Sequence, residues 1–255
     1  MRFSAASCYL LLAPYFRSFS KMLTVDFDLL DVRAGHTFLD AGCGAGRHSF
    51  AAFRRGADVI AMDYAVDECK KVVYSFSTAM ESDRDKGGSW NMVRGDVICI
   101  PFADNSIDRI ICAEVCEHLH EDLRVLEGMA RILKPGGRMA VTVPTTFSEA
   151  IYGLIEPFYF ENPGGHVRIF TPWELAKKIR AAGLNIYAVR HAHGFHTPYW
   201  LLRCIFGLTD ENHPVTVAYR KFLNIQIMSP FGTKFERRVM DRICPKSIIL
   251  YAWKP

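Results

Sequence analysis

The residues with the clearest chemical potential are Thr37-Phe-Leu-Asp-Ala-Gly-Cys-Gly-Ala-Gly-Arg-His48. An apolar run ends in an acid, Asp40, and three glycines follow at alternate positions before a helix begins. A strand that feeds a glycine-rich turn and a helix N-terminus is how α/β sheets bring backbone close to a nucleotide-like ligand. Gly42, Gly44 and Gly46 permit the tight turn and leave no Cβ between backbone and ligand. A second apolar run, Asp58-Val-Ile-Ala-Met-Asp63, ends in another acid about twenty residues on, the spacing at which a carboxylate can take a ribose diol. A dinucleotide fingerprint reads G-x-G-x-x-G; here the third glycine comes one residue early. Asp40, two residues before the first glycine, is expected to point into the site. There its carboxylate repels a pyrophosphate but suits a cationic, amino-acid-like group.

This pattern resembles the first motif of class I S-adenosylmethionine (SAM) methyltransferases. Three further stretches extend the resemblance in the right order. Arg94-Gly-Asp-Val-Ile-Cys-Ile-Pro-Phe-Ala-Asp-Asn-Ser-Ile-Asp108 is similar to the next signature, and Ile110-Ile-Cys-Ala-Glu-Val-Cys-Glu-His-Leu119 to the fourth-strand segment. Leu126–Pro144 is similar to the helix, Pro-Gly-Gly turn and fifth strand that follow. The resemblance implies SAM as cofactor and S-adenosylhomocysteine as product. It places Asp40, Gly42, Cys43, Gly44 and Gly46 at the cofactor loop, and Asp63 and Tyr64 beside the ribose. Asp96 would accept from the adenine amino group, Val97 would pack on the ring, and Ala113 and Glu114 would close the site. The likeness is nearest to ubiquinone- and menaquinone-type methyltransferases and covers roughly residues 22–190.

A sulfonium methyl group is strongly electrophilic, so positioning the acceptor supplies most of the rate. A base is needed only where the acceptor must lose a proton. Histidine suits that task at neutral pH, and His118 and His166 are the candidates that the resemblance brings near the substrate. His191, His193 and His196 cluster later; at strand spacing His191 and His193 would share a face. No metal is expected, because no carboxylate accompanies those three in the sequence. His36, His48 and His120 are expected to be structural or exposed.

The elements that must position these residues read as an alternation of strands and helices, hence a parallel sheet with helices on both faces. Strands are expected at 36–40, 58–62, 90–94, 107–113, 137–143, 185–192 and 247–253. Helices are expected at 45–55, 65–80 and 120–133, and from Thr171, whose cap, Pro172 and Glu174 mark a helix start. The fold class is a seven-stranded doubly wound, Rossmann-like sheet with an antiparallel last strand and a helical insert between strands six and seven. Thr145–Gly165 reads as a long aromatic loop, and Pro135-Gly-Gly137 as a helix stop and turn. The insert, Gly194–Lys246, is expected to hold helices near 195–207, 215–227 and 233–243 and to act as a substrate lid, with Tyr152, Tyr159, Tyr199 and Trp200 as candidate pocket walls; edge packing is the competing reading.

At 255 residues, with half of them apolar, one large α/β domain is expected over 22–255, preceded by an extension at 1–21. The extension reads as a start-site extension or loose helix, with a peripheral membrane contact as an alternative. A net charge of +4 with scattered basic pairs argues against a nucleic-acid footprint. Eight cysteines without a C-x-x-C pair point to a reducing, cytoplasmic setting without disulfides. The functional expectation is methyl transfer to an apolar small molecule, chiefly O-methylation. C-methylation, or a polyketide, terpenoid or glycan-linked acceptor, is the alternative, and an inactive SAM-binding scaffold is the alternative of another class.

Overall fold

Alternation along each strand sets the layers. In β1 (Thr37–Ala41) Phe38 and Leu39 point to opposite faces of the sheet and join different clusters, and both are buried. Burial on both faces is what a parallel sheet covered by helices requires. The computed structural model describes residues 22–82, 87–155, 165–206 and 212–255. The extension at 1–21 and Tyr159 lie outside these residues. The remaining strands are β2 (Asp58–Asp63), β3 (Trp90–Arg94), β4 (Ile107–Ala113), β5 (Leu133–Pro144), β6 (Asn185–Ala192) and β7 (Ser247–Trp253). Their order is β3-β2-β1-β4-β5-β7-β6, with β7 antiparallel to both neighbours. The chain runs outward from β1 to β3 and then crosses back to β4. The crevice between the carboxyl ends of β1 and β4 is therefore the topological switch point, where such sheets take ligands.

Among the described residues the α-helices of six residues or more are α1 (Arg47–Arg54), α2 (Val66–Ser82), α3 (Asp122–Ile132), α4 (Thr146–Ile155), α5 (Pro172–Ala181), α6 (His196–Phe206), α7 (Pro214–Met228) and α8 (Pro230–Phe235). One face of the sheet packs Phe27, Phe50, Phe53 and Phe76 against Phe38 and Tyr251. The other packs Leu126 and Met129 of α3 and Leu175 and Ile179 of α5 against Leu39, Ile110 and Val141. Leu126 and Met129, and Leu175 and Ile179, recur at helical spacing and so share a stripe. The insert between β6 and β7 is helical, as expected. Its core is Phe195, Leu223 and Ile227, with Met22 packed against it.

Three expectations need correction. Residues 145–165 are not one loop: α4 occupies Thr146–Ile155, buries Ser148, Glu149 and Tyr152, and exposes Leu154. Its aromatic content hid the helical spacing of those buried positions. Pro135-Gly-Gly137 follows the end of α3 at Ile132, as a helix stop should, but it lies within β5 as a bulge: Leu133 pairs with Ile107 and Arg138 with Arg109, so the residues between them leave the ladder. Gly136 takes a φ of 74° there, which glycine adopts at little cost. The third insert helix is interrupted, since a π-helical turn at Glu236–Met240 follows α8.

Helix α5 begins with a complete capping box: Glu174 N–H donates to Thr171 Oγ1 at 3.2 Å, and Thr171 N–H donates to Glu174 Oε2 at 2.9 Å. Replacing Thr171 by alanine should cost about 0.5–2 kcal/mol. At about 2–4 °C per kcal/mol for a domain of this size, calorimetry should record a fall of several degrees. A melting temperature unmoved by the substitution would show that the cap contributes nothing.

Candidate active site

The loop after β1 is shaped by its glycines. Gly42 has a φ of 74°, and a Cβ there would stand 2.4 Å from Val115 Cγ2. Gly44 has a φ of 51°, and a Cβ there would meet nothing within 4 Å, so this side of the loop opens into the crevice. Asp63 closes the loop from β2: its Oδ2 accepts from Gly44 N–H at 2.8 Å and its Oδ1 from Ala65 N–H at 2.9 Å. Tyr64 beside it is exposed. Asp96 caps the short turn Val97–Cys99 through Ile98 N–H at 2.9 Å, and Val97 is buried next to it. Cys43 is buried, and its thiol is pushed far up by burial and by the charges of Asp40 and Asp63. It is no nucleophile at neutral pH.

Asp40 stands beneath the loop rather than open to it. It is buried, and its Oδ2 accepts from Ser49 N–H at 2.9 Å and Ser49 Oγ at 2.6 Å. The expectation of a carboxylate aimed at a cationic ligand is thus corrected: the geometry makes Asp40 the anchor of α1. Burial pushes its carboxyl up to about 6, against the hydrogen bonds from Ser49 and the charge of Arg47.

The strand end across the crevice carries more acid. Ala113 ends β4, and Glu114 follows with a φ of 55°, an uncommon value for a residue with a side chain. Glu114 Oε1 accepts from Thr142 Oγ1 at 2.8 Å, and Oε2 faces Lys246 Nζ at 3.3 Å. Burial raises its pKa, but Lys246, Thr142 and Arg47 outweigh burial and hold the carboxyl below its ordinary value. Glu117, three residues on, is buried, and neither carboxylate oxygen has a hydrogen-bond partner among the described residues. Burial and the Glu114 charge push its carboxyl well up.

The two candidate histidines, His118 and His166, lie side by side, with ring centroids 4.9 Å apart. His118 Nδ1 is 3.2 Å from the Gly165 carbonyl, and His166 Nδ1 is 2.5 Å from Glu149 Oε2. The segment is pinned by a buried acid, Asp122, which pairs with Arg168 at 2.6 Å and Lys178 at 2.5 Å. Glu117, His118 and His166 each place a ligand-type atom within 4.8 Å of the others, a set able to hold a divalent ion. His36 is partly buried, its Nδ1 receiving Arg33 N–H at 3.3 Å; His48 is buried against Thr24 N–H at 3.3 Å; His120 is exposed. His191 and His193 do not share a strand face, because β6 ends at Ala192 and His193 turns away with a φ of 64°.

Glu149, Lys246, Thr142 and Arg47 escaped the sequence reading. Glu149 and Lys246 lie outside the motif-bearing stretches, Arg47 and Thr142 lie inside them without marking a role, and each of the four reaches the site from a different element. The one available signal was a buried-type spacing in Ser148, Glu149 and Tyr152. Tyr152 Oη donates to the Thr197 carbonyl at 3.2 Å, which joins α4 to the first insert helix. Among the described residues no helix is long and apolar enough to cross a membrane. The seven described cysteines are free.

Comparison with known proteins agrees with this geometry. Residues 39–141 match the family model described as a methyltransferase domain. Methyltransferase GfsG of Streptomyces halstedii is 31% identical over 138 residues, covering 52% of this chain and 47% of that protein. A ubiquinone biosynthesis O-methyltransferase of Xanthomonas euvesicatoria pv. vesicatoria is 30% identical over 161 residues, covering 60% of this chain and 64% of its own length. The chain thus spans about half to two thirds of the length of these curated relatives. The crystal structure of the [4+2]-cyclase SpnF matches with a TM-score of 0.59 at 18% identity, over 98% of this chain and 95% of that one, a likeness of fold alone.

Two substitutions separate the roles of the loop. Gly42→Ala should lower the melting temperature sharply, because the new methyl collides with Val115 in a strained backbone. Gly44→Ala should keep the fold to within about 1–2 kcal/mol but lose roughly tenfold or more in S-adenosylhomocysteine affinity, read by calorimetric titration. Equal effects of both on both readouts would refute the division. A pH test addresses Asp40. Its folded pKa lies above the unfolded value, so its contribution is fully present below about 4 and is lost as pH rises through about 6. Ser49→Ala should therefore destabilise more at pH 8, where it strands an ionised carboxylate, than at pH 5. Equal urea midpoint shifts at the two pH values would argue that Asp40 does not ionise.

Proposed function

We propose that the chain is a class I SAM-dependent methyltransferase and that it methylates a hydroxyl oxygen on an apolar, quinol-type small molecule. When bound, SAM supplies an electrophilic methyl group, and the protein's task is to hold an acceptor oxygen in line with it. The open side of Gly44 fits a ligand lying against backbone, Asp63 fits a ribose diol, and Asp96 with Val97 fits a nucleobase. Gly42, Cys43, Gly46, Tyr64, Ala113 and Glu114 complete the surrounding wall, with Asp40 anchoring it from below. Residues 22–255 form the methyltransferase domain in this reading, and Gly194–Lys246 acts as its lid. The relative named for ubiquinone biosynthesis supports a ring hydroxyl as acceptor.

The observation that carries O-methylation is the Glu149–His166 pair. A hydroxyl must shed a proton as it attacks, and an imidazole held by a carboxylate is suited to take it. The carboxylate fixes the ring's tautomer and stabilises the imidazolium that forms, as in hydrolytic triads. His118, edge-on to His166, stands where it can orient the acceptor. The Tyr152–Thr197 bond supports the lid, since α4 carries both the contact to the insert and Glu149.

A metal-assisted version is favoured by Glu117. Its unpartnered buried carboxylate, with His118 and His166, could hold a divalent cation that acidifies the acceptor hydroxyl. Turnover of a catechol or demethylquinol with SAM, followed by mass spectrometry of the product, tests the whole reading. Glu149→Gln should lower kcat by roughly a hundredfold while S-adenosylhomocysteine affinity stays nearly unchanged. Unaltered kcat would remove the pair from the mechanism, and a chain that binds cofactor but methylates no acceptor would favour the scaffold reading. Loss of turnover on chelation, restored by magnesium or manganese, would select the metal-assisted version.

A further inference from the structure

The turn between β6 and α6 carries a second constellation, outside the residues assigned to methyl transfer. His193 and His196 stand at its two ends, and Glu236 reaches it from the insert. One ligand-type atom of each lies within 4.8 Å of the others. The two imidazoles meet edge to face, with centroids 4.9 Å apart. The sequence shows no carboxylate beside these histidines; the fold delivers one from forty residues away.

The backbone is arranged to hold this group. His193 takes a φ of 64°, a conformation costly for a residue with a Cβ. Phe195 N–H donates to Glu236 Oε1 at 3.0 Å, and Gly194 N–H donates to Asp241 Oδ1 at 2.8 Å. Glu236 and Asp241 bracket the π-helical turn Glu236–Met240. In a regular α-helix, residues five apart diverge by about 140°. The wider π turn brings them to one side, so both carboxylates clamp the turn that carries the histidines. Such turns are frequent at functional sites.

What points to a ligand is an unfilled valence. His196 Nδ1 is buried without a hydrogen-bond partner and lies 3.9 Å from Glu236 Oε1, beyond hydrogen-bond reach. Burial, with the charges of Lys246 and Arg47, pushes His196 down to about 4, and burial holds His193 well below its ordinary value. An unprotonated imidazole offers a lone pair to a metal ion. Arg47 is engaged with Thr24 Oγ1 at 3.0 Å and Lys246 with Glu114 at 3.3 Å, while Arg237, whose charge acts on Glu236, also lines the cavity. His193 Nε2 is 2.9 Å from Thr24 Oγ1, the type of outer hydrogen bond that orients metal-ligating histidines. All three side chains line a cavity of about 610 Å³ walled by Thr24, Ile249 and Tyr251.

We propose that His193, His196 and Glu236 form a binding site for a divalent cation of the zinc type. Two imidazoles and one carboxylate are a donor set that such an ion accepts, with the fourth tetrahedral position left to the cavity. The ion would clasp three parts of the chain: Thr24 and the N-terminal segment through His193, the end of β6, and the insert through Glu236. The site stands apart from the crevice chemistry and does not rest on the methyl-transfer reading.

The test uses full-length chelator-treated protein carrying His166→Phe, which disables the Glu117–His118–His166 group. Calorimetric titration with Zn²⁺ alone should give one site. Titration with Co²⁺ should give the visible absorption of four-coordinate cobalt. His196→Phe and Glu236→Gln should each weaken Zn²⁺ binding at least tenfold, while the melting-temperature response to S-adenosylhomocysteine reports that the variants are folded. No binding in the His166→Phe protein, or equal binding in all variants, overturns the proposal. If either variant fails to fold, crystals of the His166→Phe protein soaked in Zn²⁺ decide: an anomalous peak between His193, His196 and Glu236 supports the site, and an empty map there refutes it.

Discussion

The structure depends on how it accommodates carboxylates at the carboxyl edge of its sheet. An ionised carboxylate removed from water is costly unless it is paired or hydrogen-bonded. Asp40, Glu114 and Glu117 stand at the ends of two neighbouring strands, and each meets this constraint differently. Asp40 is answered locally by Ser49, one turn into the helix that it anchors. Glu114 is answered by Thr142 and by Lys246, which the chain supplies more than a hundred residues later. Glu117 is not answered by any described residue and is pushed toward its neutral form. That gradient, from satisfied to unsatisfied, runs from the cofactor loop toward the histidines. It ends where an acceptor or a cation would supply the missing partner.

The second half of the chain completes what the first half begins. Thr145, at the end of β5, donates to the Pro245 carbonyl at 2.8 Å, and its N–H donates to the Lys246 carbonyl at 2.8 Å. These bonds fix the exit of the insert beside Glu114. At the entrance, Tyr152 of α4 holds Thr197. Both ends of the insert are thus tied to the strand and helix that carry Thr142 and Glu149. Motion of the insert would be felt at Glu149 and at the Glu114 pair together, the coupling that the proposed lid requires.

The likeness to a cyclase at fold level is a reminder that this sheet hosts more than one chemistry. What separates the possibilities is the groups near the acceptor. A proton-accepting pair such as Glu149–His166 has a purpose where a hydroxyl is to be alkylated, and less where a reaction only reshapes a carbon skeleton.

The sequence alone determined the sheet and its cofactor edge. Strand periods are local, glycines at left-handed positions are required by the backbone wherever the loop occurs, and acids at strand ends sit in a register set by the strands themselves. β3, β4, β6 and β7 fall at the residues that the alternation indicates. Asp40 was found, but the direction of its carboxylate was not, because Ser49 competes for it through a helix whose placement is tertiary. Glu149 was missed because the aromatic residues around it masked the helical spacing of Ser148, Glu149 and Tyr152; only the docking of α4 brings it to His166. Glu236 likewise reaches His193 and His196 only because a π turn rotates it inward and the insert folds back on β6. Local geometry can be read from neighbours in sequence, whereas a pairing across forty or a hundred residues exists only once packing has paid the entropy of bringing its ends together.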